Sequence, residues 1–131
     1  MAQPEIAPDG FAEEIGVEWL SLDPDDARAR IAVEPRHLQP YGIVHGGVFA
    51  ALAESLTSAA TYAAVHEEGM VSMGQANDTT FLRPIGAGHI NASATPRHRG
   101  RTTWVWDVEI TDDEGRVCAL ARMTIAVRPR R

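Results

Sequence analysis

HGGVFAALAESLTSAATYAAVH, residues 45–66, reads as one long helix entered through a glycine turn. Val48, Leu52, Leu56, Ala59 and Ala63 recur at helical spacing as one apolar stripe, while Glu54 and Ser58 share another face. Gly69 is placed to end the helix. The many alanines make it slim, which suits a helix packed closely inside a curved sheet. At its start, Gly46 and Gly47 let the backbone turn sharply and approach a ligand closely. The first N–H groups of the helix have no partners inside it, and such an end stabilises developing negative charge. Glu54 is a lone carboxylate in an apolar stretch, expensive to bury unless it has a task. The pattern predicts an oxyanion site and a buried acid, the parts of acyl chemistry.

Outward from this helix the chain reads as strands and turns. Upstream, a short helix around Gly10–Ile15 precedes a strand over Gly16–Leu22 and a turn at Asp23-Pro24-Asp25-Asp26. Residues 27–34 set Ala29, Ile31 and Val33 on one face and Arg28, Arg30 and Glu34 on the other, a half-buried strand. Pro35–Gly42 is a loop leading into the glycine turn. Downstream, Met70–Phe81 is extended up to Arg83-Pro84, and His89–Thr95, Thr103–Thr111 and Val117–Val127 alternate. Asp112-Asp113-Glu114-Gly115 is a hairpin turn. Two early strands, one long helix and four later strands predict an α+β domain, an antiparallel sheet around one central helix. Trp104 and Trp106 read as strand core or interface rather than ligand stackers.

A chain of 131 residues, 44% hydrophobic and 23% charged, fits a single domain spanning 1–131. Residues 1–10 carry two prolines and are expected to be a flexible N-terminal segment. No secretory signal pattern opens the chain. No uninterrupted apolar run of membrane-spanning length is expected, because Glu54 and several hydroxyls interrupt the best candidate. Cys118 is the only cysteine, so no internal disulfide forms, and the expected location is the cytoplasm. A net charge of −6 argues against a general nucleic-acid binder. The charge is unevenly spread: no acid lies between Asp78 and Asp107, a stretch holding Arg83, His89, Arg97, His98, Arg99 and Arg101. A local basic patch on an acidic protein fits a small anionic ligand, and a solvated surface fits it equally well.

Gln39-Pro40-Tyr41-Gly42-Ile43-Val44-His45-Gly46-Gly47, followed by Leu52-Ala53-Glu54-Ser55, resembles the hotdog-fold acyl-CoA thioesterases. Within them the chain is similar to the PaaI-like group, which includes 4-hydroxybenzoyl-CoA and 1,4-dihydroxy-2-naphthoyl-CoA thioesterases. The resemblance runs from about Phe11 to Val127. It implies that Glu54 is the catalytic carboxylate, as nucleophile or general base, and that the Gly46 N–H polarises the thioester carbonyl. It further implies that Gln39 and His45 shape the oxyanion site, that Ser58 positions water, and that Gly47 meets the substrate. CoA contacts are implied for Gly74, for Phe81-Leu82-Arg83-Pro84 and for His98-Arg99-Gly100-Arg101-Thr102-Thr103. Arg83-Pro84 departs from relatives that have Arg-Ser there, so a hydroxyl contact is missing. No metal and no cofactor are implied, CoA being part of the substrate.

The N–H of Gly46, reinforced by the helix dipole, suits a tetrahedral oxyanion. Glu54 suits attack to give a mixed anhydride, or deprotonation of water. Eight residues separate the two, about 12 Å along a helix axis, too far to serve one carbon. The acid and the oxyanion donor of a given site are therefore expected from different protomers of a dimer, and the resemblance extends this to a homotetramer. An aromatic acyl group is expected, with Tyr62, Phe81 and Met73 as candidate pocket residues. Medium-chain or phenylacetyl-CoA hydrolysis, a hotdog hydratase or dehydratase, and a non-catalytic acyl-CoA-binding protein are the alternatives.

Overall fold

Strand-like alternation and the alanine-rich helix resolve into a sheet wrapped around that helix in a computed structural model that describes residues 10–131. The flexible segment expected over residues 1–10 lies, apart from Gly10, outside the described residues. The elements are α1 (Phe11–Glu14), β1 (Val17–Asp23), β2 (Asp26–Ala32), a 3-10 turn (Pro35–His37), α2 (Gly46–Val65), a second 3-10 turn (His66–Glu68), β3 (Met70–Phe81), β4 (His89–Arg99), β5 (Thr103–Thr111) and β6 (Val117–Pro129). The described strands form one antiparallel six-stranded sheet in the order β1-β2-β4-β5-β6-β3. This is the hotdog arrangement. β4 continues past its expected end through Pro96, with a register shift between Pro96 and His98 that absorbs the missing N–H.

α2 starts and stops where its sequence signals lie. His45 is its N-cap, Nδ1 accepting from the Gly47 N–H, and Gly69 ends the 3-10 extension at φ 76, a conformation that suits glycine. The buried face is wider than the expected stripe. Phe49, Leu52, Ala53, Leu56, Thr57, Ala60, Thr61, Ala63 and Val65 are buried, whereas Val48 and Ala59 are only half-buried at its border. A sheet that curls round the helix covers more of its circumference than a flat layer does. The two buried threonines bond locally, Thr57 Oγ1 to the Ala53 carbonyl and Thr61 Oγ1 to that of Thr57. Thr61 also accepts from the indole N–H of the fully buried Trp106 at 2.9 Å, so both indoles, stacked at 5.9 Å, are core.

Although Glu54 interrupts it, Gly46–Glu68 as a whole has the length and mean hydropathy, 1.3, of a membrane-crossing helix. Half of that window is buried inside the protein, which accounts for its apolarity. The sheet has two edges. Among the described residues β3 pairs only with β6, and its other side is left open by them along twelve residues.

Candidate active site

The loop before α2 is held by backbone bonds. The Gly42 N–H donates to the Gln39 carbonyl and that of Gln39 to Ile43, each at 2.9 Å, while the Val44 N–H reaches Ile85 at 2.8 Å. Buried His37 pins this loop from beneath. Its Nδ1 accepts from the Glu34 N–H at 2.9 Å, its Nε2 lies 2.8 Å from the Ile15 carbonyl, and its own carbonyl accepts from His45 N–H. Both ring nitrogens are used, which requires the neutral ring with the proton on Nε2. Sequence reasoning missed His37; the spacing from Glu34 to His37, that of a capping box, was the available signal.

The start of α2 leaves one backbone donor open. The Gly47 N–H is taken by His45 Nδ1 at 2.8 Å and that of Val48 by the His45 carbonyl, whereas the Gly46 N–H makes no hydrogen bond among the described residues. His45 thus acts here as a cap, with Nδ1 already engaged. Gly46 lies under the Phe81 ring: a Cβ built there would meet Phe81 Cε1 at 2.9 Å. Gln39, Val44, Gly46, Phe49, Phe81, Leu82, Arg83 and Pro84 line a largely apolar groove of about 480 Å³. The 81–84 segment is fixed by the N–H groups of Leu82 and Arg83, which both donate to the Cys118 carbonyl.

Glu54 is exposed in the single chain, which corrects the expectation of a buried acid: the carboxylate stands on the side of α2 facing the edge strand β3, outside the core. It lies against Gly74, where an added Cβ would come within 2.9 Å of Cδ and Oε2, and its Oε1 is 3.4 Å from Asn77 Nδ2. Gly74 is therefore a neighbour of the acid within the same chain. One turn further along α2, Ser58 sits beside Ser72, whose hydroxyl donates to the Ser58 carbonyl at 2.8 Å. Ser72 and Asn77 were not singled out from sequence, since β3 lacks regular alternation.

Other expected site residues are dispersed. The His98–Thr103 loop stands at the far end of α2, where Arg99, Gly100, Arg101 and Trp104 share a groove with Val65, Glu68 and Met70. A 20-residue helix, about 30 Å long, separates it from the Phe81–Pro84 segment, so one chain does not unite the two sets. Half of the basic residues in the acid-free stretch are paired. Arg97 pairs with Asp107, Arg99 with Asp25, and His89 with Asp113, all acids from other parts of the sequence. Arg99 additionally lies over the Trp104 ring at 5.4 Å. His98, Arg101 and Thr102 are exposed and Thr103 half-buried; the Thr102 carbonyl is occupied by Val127 and Arg128. Phe81 is the one expected pocket residue in the groove. Tyr62 stacks on His66 at 5.3 Å further down the helix, and Met73 is exposed on β3.

The thioesterase superfamily profile matches residues 41–119, which include the glycine turn, α2 and Glu54. A protein of Mycobacterium tuberculosis, provisionally named an esterase, is 43% identical over 117 residues, covering 88% of this chain and 84% of that protein. Its solved structure superposes with a TM-score of 0.87 at 41% identity, over 92% of this chain and 98% of that one. The proofreading thioesterase EntH of Cronobacter turicensis is 35% identical over 117 residues, covering 89% of this chain and 85% of that protein. A thioesterase structure from Haemophilus influenzae gives a TM-score of 0.85 at 35% identity, over 90% and 82% of the two chains.

Proposed function

The chain belongs to the thioesterase superfamily and is a thioester hydrolase, and on that premise we propose that it cleaves an acyl-CoA with an aromatic acyl group, at sites built from two copies of the chain. The observation that carries this reading is the unpartnered Gly46 N–H in an apolar groove at the head of a 20-residue helix. Phe49 and Phe81, with centroids 6.3 Å apart, give that groove flat walls suited to an aryl ring.

In this mechanism the thioester oxygen accepts from Gly46 N–H, and the helix end stabilises the charge that develops there. Glu54 of the second copy either attacks the carbonyl carbon, expelling CoA thiolate and leaving an anhydride that water opens, or takes a proton from water as that water attacks. By both routes the carbon–sulfur bond breaks, water supplies the new oxygen, and the products are the acid and CoA thiol. Gln39 and His45 hold the shape of the oxyanion site, and Ser58 holds water. Two features favour a two-chain site: the eight residues between Gly46 and Glu54, and the open side of β3. A two-fold-related copy pairing along β3 covers that edge and runs its helix the opposite way.

Release of CoA thiol from benzoyl-, 1,4-dihydroxy-2-naphthoyl-, phenylacetyl- and hexanoyl-CoA tests the reading. The aryl thioesters should give the highest kcat/KM, and Glu54→Ala should lose activity on all four. Hexanoyl-CoA as the best substrate would remove the aromatic preference, and an Ala variant at the wild-type rate would remove Glu54. Gly46→Pro deletes the N–H at a first-turn position whose backbone accepts proline, and its ring carbons also press on Phe81. Two inactive variants, Gly46→Pro and Glu54→Ala, remixed as subunits should recover about a quarter of wild-type activity, one intact site in half of the dimers. No recovery on subunit exchange would place both groups of a site in one chain.

A further inference from the structure

β3 changes phase in the middle. Its register against β6 shifts between Gly74 and Ala76, leaving Gln75 as the extra residue of a bulge. Before the bulge, even-numbered residues face α2: Ser72 meets Ser58 and Gly74 meets Glu54. After it, odd-numbered residues do: Asn77 reaches Ala50 and Glu54, and Phe81 covers Gly46. In an unbroken strand Asn77 and Phe81 would face away from the helix. Bulges re-aim side chains in this way beside active sites.

The amide of Asn77 has only one workable orientation. Nδ2 donates to the Ala50 carbonyl at 2.9 Å and points at Glu54 Oε1 at 3.4 Å, and both are acceptors. Oδ1 is left to accept from the Thr79 hydroxyl at 2.6 Å, which fixes the amide from behind. Resting on Glu54 as the reacting acid, we propose that Asn77, aimed by the bulge and locked by Thr79, is a positioning residue that holds Oε1 of Glu54 and leaves Oε2 as the reacting oxygen. A donor on one carboxylate oxygen orients the group.

The experiment uses the full chain with benzoyl-CoA, following kcat, KM and melting temperature for wild type, Asn77→Ala, Asn77→Asp, Thr79→Val and Thr79→Ser. Asn77→Ala should lower kcat about tenfold with KM nearly unchanged. Asn77→Asp should lower kcat at least as far, because a carboxylate has no N–H to give Oε1. Thr79→Val keeps the Asn77 side chain and should show a smaller loss in kcat, which Thr79→Ser, keeping the hydroxyl, restores. A purely structural tie between β3 and α2 would lower the melting temperature of the Asn77 variants while their kcat stayed within twofold of wild type; that result overturns the proposal. An active Glu54→Ala overturns the premise instead, so the two failures are told apart.

Discussion

Replacing Gly74 by alanine adds one methyl group against the Glu54 carboxylate and changes little else. The new Cβ would stand 2.9 Å from both Cδ and Oε2 and 3.1 Å from Cγ, whereas ordinary contact begins near 3.4 Å. The carboxylate must therefore retreat by about 0.5 Å, and a displacement of about 1 Å in a reacting group costs on the order of 100-fold in rate. A loss of about tenfold in kcat is the expected outcome. Gly74 has no positive φ, so alanine brings no backbone strain, and the reduced freedom of the unfolded chain adds about 0.4–1 kcal/mol of stability. The assay is thiol release from an aryl-CoA, paired with thermal denaturation. An intact or raised melting temperature with depressed kcat is the expected combination. A Gly74→Ala enzyme within twofold of wild-type kcat would refute the reasoning, because a carboxylate that tolerates the methyl group does not work from that position.

Two further predictions concern stability. Thr61→Val removes the only acceptor of the Trp106 indole N–H, which is fully buried, and should destabilise by about 1–3 kcal/mol in urea denaturation; Thr61→Ser, which keeps the hydroxyl, should cost clearly less. Asp113 accepts from the Asn91 amide and from His89, and these bonds hold its carboxyl below the usual value. A lowered folded-state pKa contributes stability above the unfolded value, about 3.9, that is lost as pH falls through the folded one. The stability gap between wild type and Asp113→Asn should therefore be present at neutral pH and shrink below about pH 4; a gap constant from pH 7 to pH 3 would contradict this.

The fold was legible where local chemistry and tertiary packing agree. The glycine turn, the alanine-rich run and Gly69 bound α2 in sequence as they do in space, and Asp112–Gly115 turns β5 into β6. The open Gly46 N–H was legible for the same reason, since a glycine turn at a helix start is a local device. What depends on partners distant in sequence was not. Arg97 and Arg99 looked like an exposed basic patch because Asp107 and Asp25 are neighbours only in the folded sheet. Met70–Phe81 does not alternate because its period is interrupted, and a bulge is defined by the register against β6, which sequence does not display. Glu54 was expected inside the core because its sequence neighbours are apolar, yet the helix turns it toward an edge strand that a single chain leaves open.

The strand order has a kinetic side. β6, latest of the strands in sequence, lies between β5 and β3 and pairs with both. A ribosome therefore delivers α2 and β3 well before the strand that ties them to the rest of the sheet, and Met70 waits for Pro129, its partner across the ladder. Through that interval α2 has β1, β2 and β3 to rest on, joined by β4 and β5 as they emerge. β4, β5 and β6 follow one another through short turns and can pair as soon as they emerge. Closing the long loop between β3 and β6 is then expected to be slow, because its entropy is lost before contacts repay it. On that expectation the wall on which Glu54 rests is among the last parts of the molecule to form.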